Sequence, residues 1–439
     1  TALTENGRFD FSSSPCDSTD LWRKAARVKS FVKWESYPEY KYARIINARD
    51  DRFKCVLGPF FKAIEHVLYA HESFIKKVPV SERANYVAQL LGTVGRKYII
   101  TDHSQYEASF TSDMMEDCEF QLYDYVLQHC PGSSWFSQTL RLLISGKNNL
   151  IFRDFMMQIE ATRMSGEMNT SLGNGFSNLM GLLYCAEKSG MADVKAVVEG
   201  DDGLASFVGS PPNVDWFKTN GFTIKLEEVS DIGMSSFCGF VFDPEDRVIV
   251  TDPRDLLLNF GWLDPRYSGA QTRKCLALYR CKALSYLHQY PGCPIIQSFA
   301  LYVLRTSGTH IEFGRTNTYE RDMYLSMLAD YNKGLVVAKP VLIRTRELIS
   351  KQFGISLCQQ LQLEQYFDSL NVRTHFVHPV LAEILPSINN YHYMSYSYPA
   401  HIKDYDLPFL RQVRYRDPAS LLPLPHNCNY ETYSRPETT

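Results

Sequence analysis

Apolar positions along the first 250 or so residues recur in short bursts with two different periods. The helical spacing of Phe60, Ile64, Val67 and Leu68 predicts a helix over 58–71. Met115, Phe120, Tyr123 and Leu127 mark one side of a second helix over 111–128, with acids elsewhere around it. A mostly apolar stretch predicts a third helix over 174–186, and a short fourth covers 215–220. Strand-like runs occupy 30–32, 43–46, 97–101 and 222–226. Residues 197–207 read as a β-hairpin with Asp201 and Asp202 at its tip, where Gly200 and Gly203 supply positive φ. The order over 97–251 is therefore strand, helix, helix, hairpin, helix, strand. That pattern predicts an α+β fold with helices packed on one face of a small antiparallel sheet. From about residue 253 the pattern turns mainly helical, and after about 386 it becomes rich in Pro and Tyr.

Length and composition set outer bounds. A chain of 439 residues with 45% hydrophobic and 22% charged positions can bury more than one core. Eleven cysteines without a paired framework predict a reduced, intracellular chain. No apolar run is long enough to predict a membrane span, and no signal peptide is read at the start. Because the chain starts at Thr1, it is expected to be a processed product or a fragment of something longer. The net charge of −3 hides a strong asymmetry. Residues 21–100 carry 16 Lys/Arg against 7 Asp/Glu, whereas residues 101–130 carry 7 Asp/Glu and no Lys/Arg. A basic segment followed by an acidic one is compatible with a phosphate channel beside a cation site, or with two solvated faces. Cys275, Cys281, His288 and Cys293 lack a Cys-x2-Cys knuckle, and their spacing argues against zinc.

The candidate chemistry begins with Gly200-Asp201-Asp202. Two adjacent carboxylates repel unless they are solvated or share a cation, and hard oxygen donors suit a divalent one. Alone, such a tripeptide arises by chance in on the order of one in ten chains of this size. Three further segments accompany it. Asp102 follows a predicted strand, with Glu107 five residues on. Arg163 to Asn174 reads Arg-Met-Ser-Gly-Glu-Met-Asn-Thr-Ser-Leu-Gly-Asn, a Ser-Gly loop entering a helix that holds Thr170 and Asn174 on one face. Asn220 to Glu227 is a turn and then a strand carrying Lys225.

In this order the four segments resemble the palm motifs of RNA-dependent RNA polymerases from positive-strand RNA viruses of the tombusvirus and nodavirus kind. The Ser-Gly-x3-Thr-x3-Asn string upstream of Gly-Asp-Asp carries the most specific match. Phe31-Val32-Lys33-Trp34-Glu35, Ala43-Arg44-Ile45-Ile46 and the segment from Phe60 to His66 resemble the basic fingers motif of those enzymes. The resemblance covers about residues 28–245.

It implies a right-hand polymerase. Fingers would occupy 1–96, and a palm 97–252 with an interleaved fingers segment at about 130–162. A mainly helical thumb would occupy 253–385 and an aromatic C-terminal segment 386–439. It implies RNA-directed RNA synthesis from NTPs with Mg²⁺ or Mn²⁺ held by Asp102, Asp201 and Asp202, and Lys225 as the acid that protonates departing pyrophosphate. Lys33, Lys41 and Arg44 would line nucleotide entry. Ser165 and Gly166 would form a flexible loop near the template, and Thr170 and Asn174 would sense the 2′-hydroxyl. Relatives commonly have Asp where this chain has Glu107, so the sugar contact must be re-spaced or carried by water. The tyrosines Tyr391, Tyr393, Tyr396, Tyr398, Tyr405 and Tyr415 would pack over the thumb, or enter the exit cleft and stack on the first nucleotide.

The implied partners are RNA template and product, NTPs and other viral replication proteins. The implied location is the host cytoplasm, at membrane-associated replication complexes reached through regions or partners outside this chain. Two rivals remain. A reverse transcriptase-like polymerase usually carries an aromatic residue where Glu199 stands, and it lacks the Ser-Gly string. An inactive polymerase-like RNA-binding protein would not need intact Asp102, Asp201 and Asp202.

Overall fold

The computed structural model describes residues 27–33, 36–37, 42–260, 270–308, 318–334, 337–373, 376–385 and 394–395. Lys41 and the tyrosines of the C-terminal segment lie outside the described residues. The architecture is mixed α/β and divides into two compact units. One holds Arg44–Arg247 together with the strand at Val28–Val32, and the other is built from Val248 onward.

The first unit contains two four-stranded sheets. In one, β1 (Val28–Val32) pairs antiparallel with β2 (Ile45–Arg49). Helix α1 (Asp51–Leu68), helix α2 (Val80–Leu91) and strand β3 (Lys97–His103) follow. The chain then runs through a short helix at Ser112–Met114, a π-helical turn at Met115–Glu119 and α3 (Phe120–Leu127). Helix α4 (Ser133–Leu143) leads into the hairpin of β4 (Lys147–Ile151) and β5 (Met156–Glu160). This hairpin returns to the first sheet, where β4 lies parallel to β1, giving the order β2-β1-β4-β5.

After it come α5 (Thr170–Lys188), β6 (Ala192–Glu199), β7 (Asp202–Val208), α6 (Val214–Thr219) and β8 (Ile224–Val229). The second sheet has the order β6-β7-β3-β8 and is antiparallel throughout. Its core is continuous with the helices. Phe53, Leu57, Phe61 and Ile64 of α1 join Phe120, Tyr123, Trp135, Phe136, Leu179 and Leu182 with Ala196, Val198, Ala205 and Phe207 of the sheet. The Phe60 and Phe136 rings stack at 4.7 Å. Full burial of one such side chain contributes about 1.5–3 kcal/mol.

Several boundaries differ from those read in the sequence, each for a physical reason. Helix α1 starts at Asp51 rather than at 58 and ends at Leu68 rather than at 71, with Gly58 and Pro59 in its interior. Asp50 caps it by accepting from the Arg52 N–H at 2.9 Å. A Cβ at Gly58 would lie 3.0 Å from the terminal methyl of Met168, whose flexible side chain would have to shift. The predicted helix over 111–128 is interrupted by the π turn, and Glu119, four residues from both Met115 and Tyr123, lies fully buried on their side instead of among the outward acids.

The second unit is mainly helical. Its helices are α7 (Pro253–Phe260), α8 (Thr272–Gln289), α9 (Ile296–Thr306), α10 (Thr318–Asn332), α11 (Ile343–Phe353), α12 (Leu357–Ser369) and α13 (Pro379–Ile384). Aromatic packing holds them, with Phe260 stacked on Tyr279 at 4.8 Å and Phe299 edge-on to Phe367 at 5.2 Å. A partly buried ion pair of Arg346 with Glu364 at 2.7 Å ties α11 to α12. Cys275, Cys281 and Cys293 are free and buried in this packing.

Candidate active site

The second sheet brings three of the singled-out residues into register. On β3, Tyr98, Ile99 and Thr101 are buried and Asp102 emerges exposed where the strand leaves the core. Thr101 is the partner of Gly203 on β7, and Asp102 is the partner of Lys225 on β8. One further step of the β3–β7 register sets Asp102 opposite Asp202, the first residue of β7. Directly opposed residues share a face of an antiparallel pair. Asp202, Asp102 and Lys225 therefore stand in a row across three neighbouring strands.

The hairpin turn is tighter than its sequence suggests. Glu199 pairs with Asp202, so only Gly200 and Asp201 form the loop, and Asp202 belongs to the strand rather than the tip. Gly200 has φ of 64° while Asp201 has no positive φ, the type II′ pattern. Gly203 does not take the positive φ expected of it. Its small size is required instead, because a Cβ would meet Thr101 Oγ1 at 2.5 Å and Asn178 Nδ2 at 3.3 Å.

Electrostatically the row is unneutralised. Among the described residues none of Asp102, Asp201 and Asp202 forms an ion pair, although Glu199 meets Arg83 at 3.4 Å. The Asp202 carboxyl is pushed above the usual carboxylate range by desolvation, then by Asp201, with smaller contributions from Asp102 and Glu199. A hydrogen bond from the Cys238 thiol opposes that rise. The residue as a whole is nevertheless exposed where the strand begins. Desolvation, then the neighbouring carboxylates, keeps the Cys238 thiol neutral. His103, beside Asp102, is held below its ordinary value by burial, and its Nδ1 is buried without a partner. No set of three or more His, Cys, Asp or Glu is gathered closely enough to chelate a metal ion among the described residues. The donor chemistry nonetheless fits a hard divalent cation: three carboxylates at adjoining strand ends with no cationic side chain paired to them.

The Ser165–Asn174 segment is held by two buried ion pairs. On one side Arg163 is paired with Glu119, and both side chains are fully buried. Arg163 Nη1 donates to Glu119 Oε1 at 2.9 Å, and Asn169 Nδ2 donates to the same oxygen at 2.8 Å. The Tyr123 hydroxyl also donates to Glu119. On the other side Arg49 is paired with Glu167 and donates to Asn148 Oδ1 at 2.7 Å and Leu143 O at 3.0 Å. Between these pairs, Ser165 Oγ donates to Ile45 O at 3.0 Å and Gly166 N–H to Asn47 O at 2.9 Å. A Cβ on Gly166 would lie 2.7 Å from Asn47 O. The loop expected to be flexible is thus pinned to β2 in this structure.

At the start of α5 the Thr170 hydroxyl donates to Met164 O at 2.8 Å, leaving its lone pairs to accept. Asn174 Nδ2 donates to Glu107 Oε1 at 3.3 Å, so the longer Glu side chain reaches its partner directly. Asn174 Oδ1 is buried without a partner. On the first sheet, Lys33 N–H donates to Arg44 O at 2.8 Å, extending the β1–β2 ladder and setting the two basic residues opposite each other. Arg44 is exposed and Lys33 half-buried.

Four participants were not singled out in the sequence. Asn178 contacts the hairpin turn, and its signal is the recurrence of Thr170, Asn174 and Asn178 at four-residue intervals. Glu119 has a signal in its four-residue spacing from both Met115 and Tyr123, which places it on the apolar side of the predicted helix. Arg49 and Cys238 approach the site from distant segments and carry no local signal.

Comparison with known proteins follows the same lines. Residues 139–375 match the family model described as viral RNA dependent RNA polymerase. The RNA-directed RNA polymerase of Oat chlorotic stunt virus (isolate United Kingdom) is 25% identical over 398 residues, covering 80% of this chain and 50% of that protein. That of Turnip crinkle virus is 24% identical over 377 residues, covering 80% and 47%. That of Striped jack nervous necrosis virus is 24% identical over 187 residues, covering 41% and 18%. The chain spans about half the length, or less, of these curated relatives.

Proposed function

Because the chain belongs to the viral RNA dependent RNA polymerase family, we propose that it synthesises RNA on an RNA template from NTPs, replicating a viral genome. The observation that carries this reading is the row of Asp202, Asp102 and Lys225 across three strands, with Asp201 at the adjoining turn. Asp102, Asp201 and Asp202 would hold Mg²⁺ or Mn²⁺, which when bound clamps the attacking and leaving oxygens of nucleotidyl transfer. Lys225 would give its proton to the departing pyrophosphate oxygen.

The facing pair of Asn174 and Glu107 would meet the incoming ribose. Asn174 Oδ1, a buried acceptor without a partner, suits a 2′-hydroxyl donor, and Thr170 can accept but has already committed its proton. A site built to bond a hydroxyl rejects the analogue lacking it. Lys33 and Arg44, with Lys41, would neutralise the triphosphate on entry, and Ser165 and Gly166 would approach the template. In this reading residues 1–96 and about 130–162 form fingers, the rest of 97–252 the palm, 253–385 the thumb and 386–439 an aromatic tail. RNA and other replication proteins are the partners, and the setting is a membrane-associated replication complex in host cytoplasm. No helix among the described residues is long and apolar enough to cross a membrane.

The test is incorporation of labelled NTPs and dNTPs on RNA and DNA templates with Mg²⁺ or Mn²⁺. NTP incorporation on RNA is expected. Preference for dNTPs would favour a reverse transcriptase, and no incorporation by a folded sample would favour an RNA-binding protein.

A further inference from the structure

Asn178 occupies the middle of α5 and is 2% exposed. Its Nδ2 faces three backbone carbonyls of the hairpin turn: Gly200 O at 3.3 Å, Asp201 O at 2.9 Å and Asp202 O at 3.1 Å. Its Oδ1 meets Nε2 of His103, the neighbour of Asp102, at 3.3 Å. An amide is among the few side chains that can donate to one group and accept from another at once. Here the donors grip the turn carrying Asp201 and Asp202, and the acceptor grips the strand end carrying Asp102. The helix doing this also presents Thr170 and Asn174, eight and four residues earlier on the same side. The absent side chain of Gly203 is what admits the amide, since a Cβ there would lie 3.3 Å from Asn178 Nδ2.

We propose that Asn178 is a positioning residue that sets the spacing between Asp102 and the Asp201–Asp202 turn, and so the capacity of these carboxylates to share divalent cations. The proposal rests on the polymerase reading of the carboxylates. Because the hydrogen bonds of the Asn178 side chain among the described residues go to the turn backbone and His103, its removal should disturb metal binding and turnover while leaving nucleotide recognition in place.

The test uses the full 439-residue chain with Asn178→Ala and Asn178→Asp. The Asp variant keeps the shape and the acceptor toward His103 but loses both donors. Mn²⁺ affinity is read by electron paramagnetic resonance without nucleotide, and kcat and KM by NTP incorporation. Folded variants are expected to lose about 10- to 100-fold in Mn²⁺ affinity and kcat, with KM for NTP within about twofold. A folded variant with parental Mn²⁺ affinity and kcat overturns the proposal, as does a parent that binds no Mn²⁺. If Asn178→Ala does not fold, the nearly isosteric Asp variant decides. Unfolding of both assigns Asn178 to stability alone and overturns the positioning role. Loss of Mn²⁺ affinity in variants of a parent that incorporates no nucleotide supports the clamp and counts against the polymerase reading instead.

Discussion

Asp102 and Lys225 are register partners across β3 and β8. Opposed β-carbons in an antiparallel pair lie about 4.5–5.5 Å apart, and a lysine stem can extend well beyond its neighbour's carboxylate. In the proposed polymerase reading the ammonium would thus reach past the carboxylate row toward the leaving group. Lys225→Met is expected to lower kcat by about 100-fold or more, with a much smaller change in KM. An equal rise in KM with kcat unchanged would assign Lys225 to substrate binding instead.

The three carboxylates are expected to respond unequally. Asp102→Asn and Asp201→Asn should each abolish measurable incorporation, a loss of at least about 100-fold, together with Mn²⁺ binding. Asp202→Asn should cost less, because Asp202 opens a strand and already shares its carboxyl with the Cys238 thiol. Titration of Mn²⁺ into each variant, followed by resonance, ranks them; retained activity in Asp201→Asn would sink the ligand assignment.

Arg163 and Glu119 are both fully buried, so removing one strands the other. Arg163→Met is expected to destabilise the chain by about 3–5 kcal/mol. Adding Glu119→Gln should recover part of that loss, giving a double variant less destabilised than the sum of the singles. Urea denaturation of the four proteins closes the cycle.

Gly203→Ala would force a methyl against Thr101 Oγ1 at 2.5 Å and spread β3 from β7 at the step beside Asp102. A cost of about 1–3 kcal/mol is expected, with a larger proportional loss of activity. Thr101→Ala in the same chain removes the obstructing oxygen and should restore part of both. Equal melting temperatures and rates in parent and single variant would refute the close-approach explanation.

Burial raises the thiols of Cys185 and Cys293 from the ordinary 9.0 to about 12. Both stay neutral in the fold while the unfolded thiols ionise. Their contribution is therefore full below pH 9.0 and is lost as pH rises toward 12. Melting temperature should fall as pH rises from 9.0 toward 12, and more shallowly in a Cys185→Ala, Cys293→Ala double variant. The exposed Cys55 and Cys358 should react with a thiol reagent first, and the buried pair only on unfolding.

Much of the site was legible in the sequence because its chemistry is carried by short local strings. The segments around Asp102, Asp201, Thr170 and Lys225 each announce a turn or a strand end, and their order fits one antiparallel sheet. The hidden part comes from long-range packing. Glu119 reads as one surface acid among several, although it shares the helix side of Met115 and Tyr123; its buried partner Arg163 lies 44 positions away and leaves no local sign. Gly203 reads as a second turn glycine, because the sequence does not reveal that Thr101 lies across from it. Arg49 reads as one more cation in a basic segment, and its pairing with Glu167 depends on a contact between residues 118 positions apart. Where position follows from neighbours in the chain, the sequence suffices; where it follows from what lies across the core, it does not.

The hydrogen bonds that Ser165 and Gly166 make to Ile45 and Asn47 also bear on solubility. Strand β2 is the outermost of its sheet among the described residues, and on that side none of their strands pairs with it. Bare strand edges are templates for pairing with a second molecule, and proteins commonly cover them. The loop acts as that cover, so any excursion it makes while a template passes would briefly uncover an aggregation-prone border.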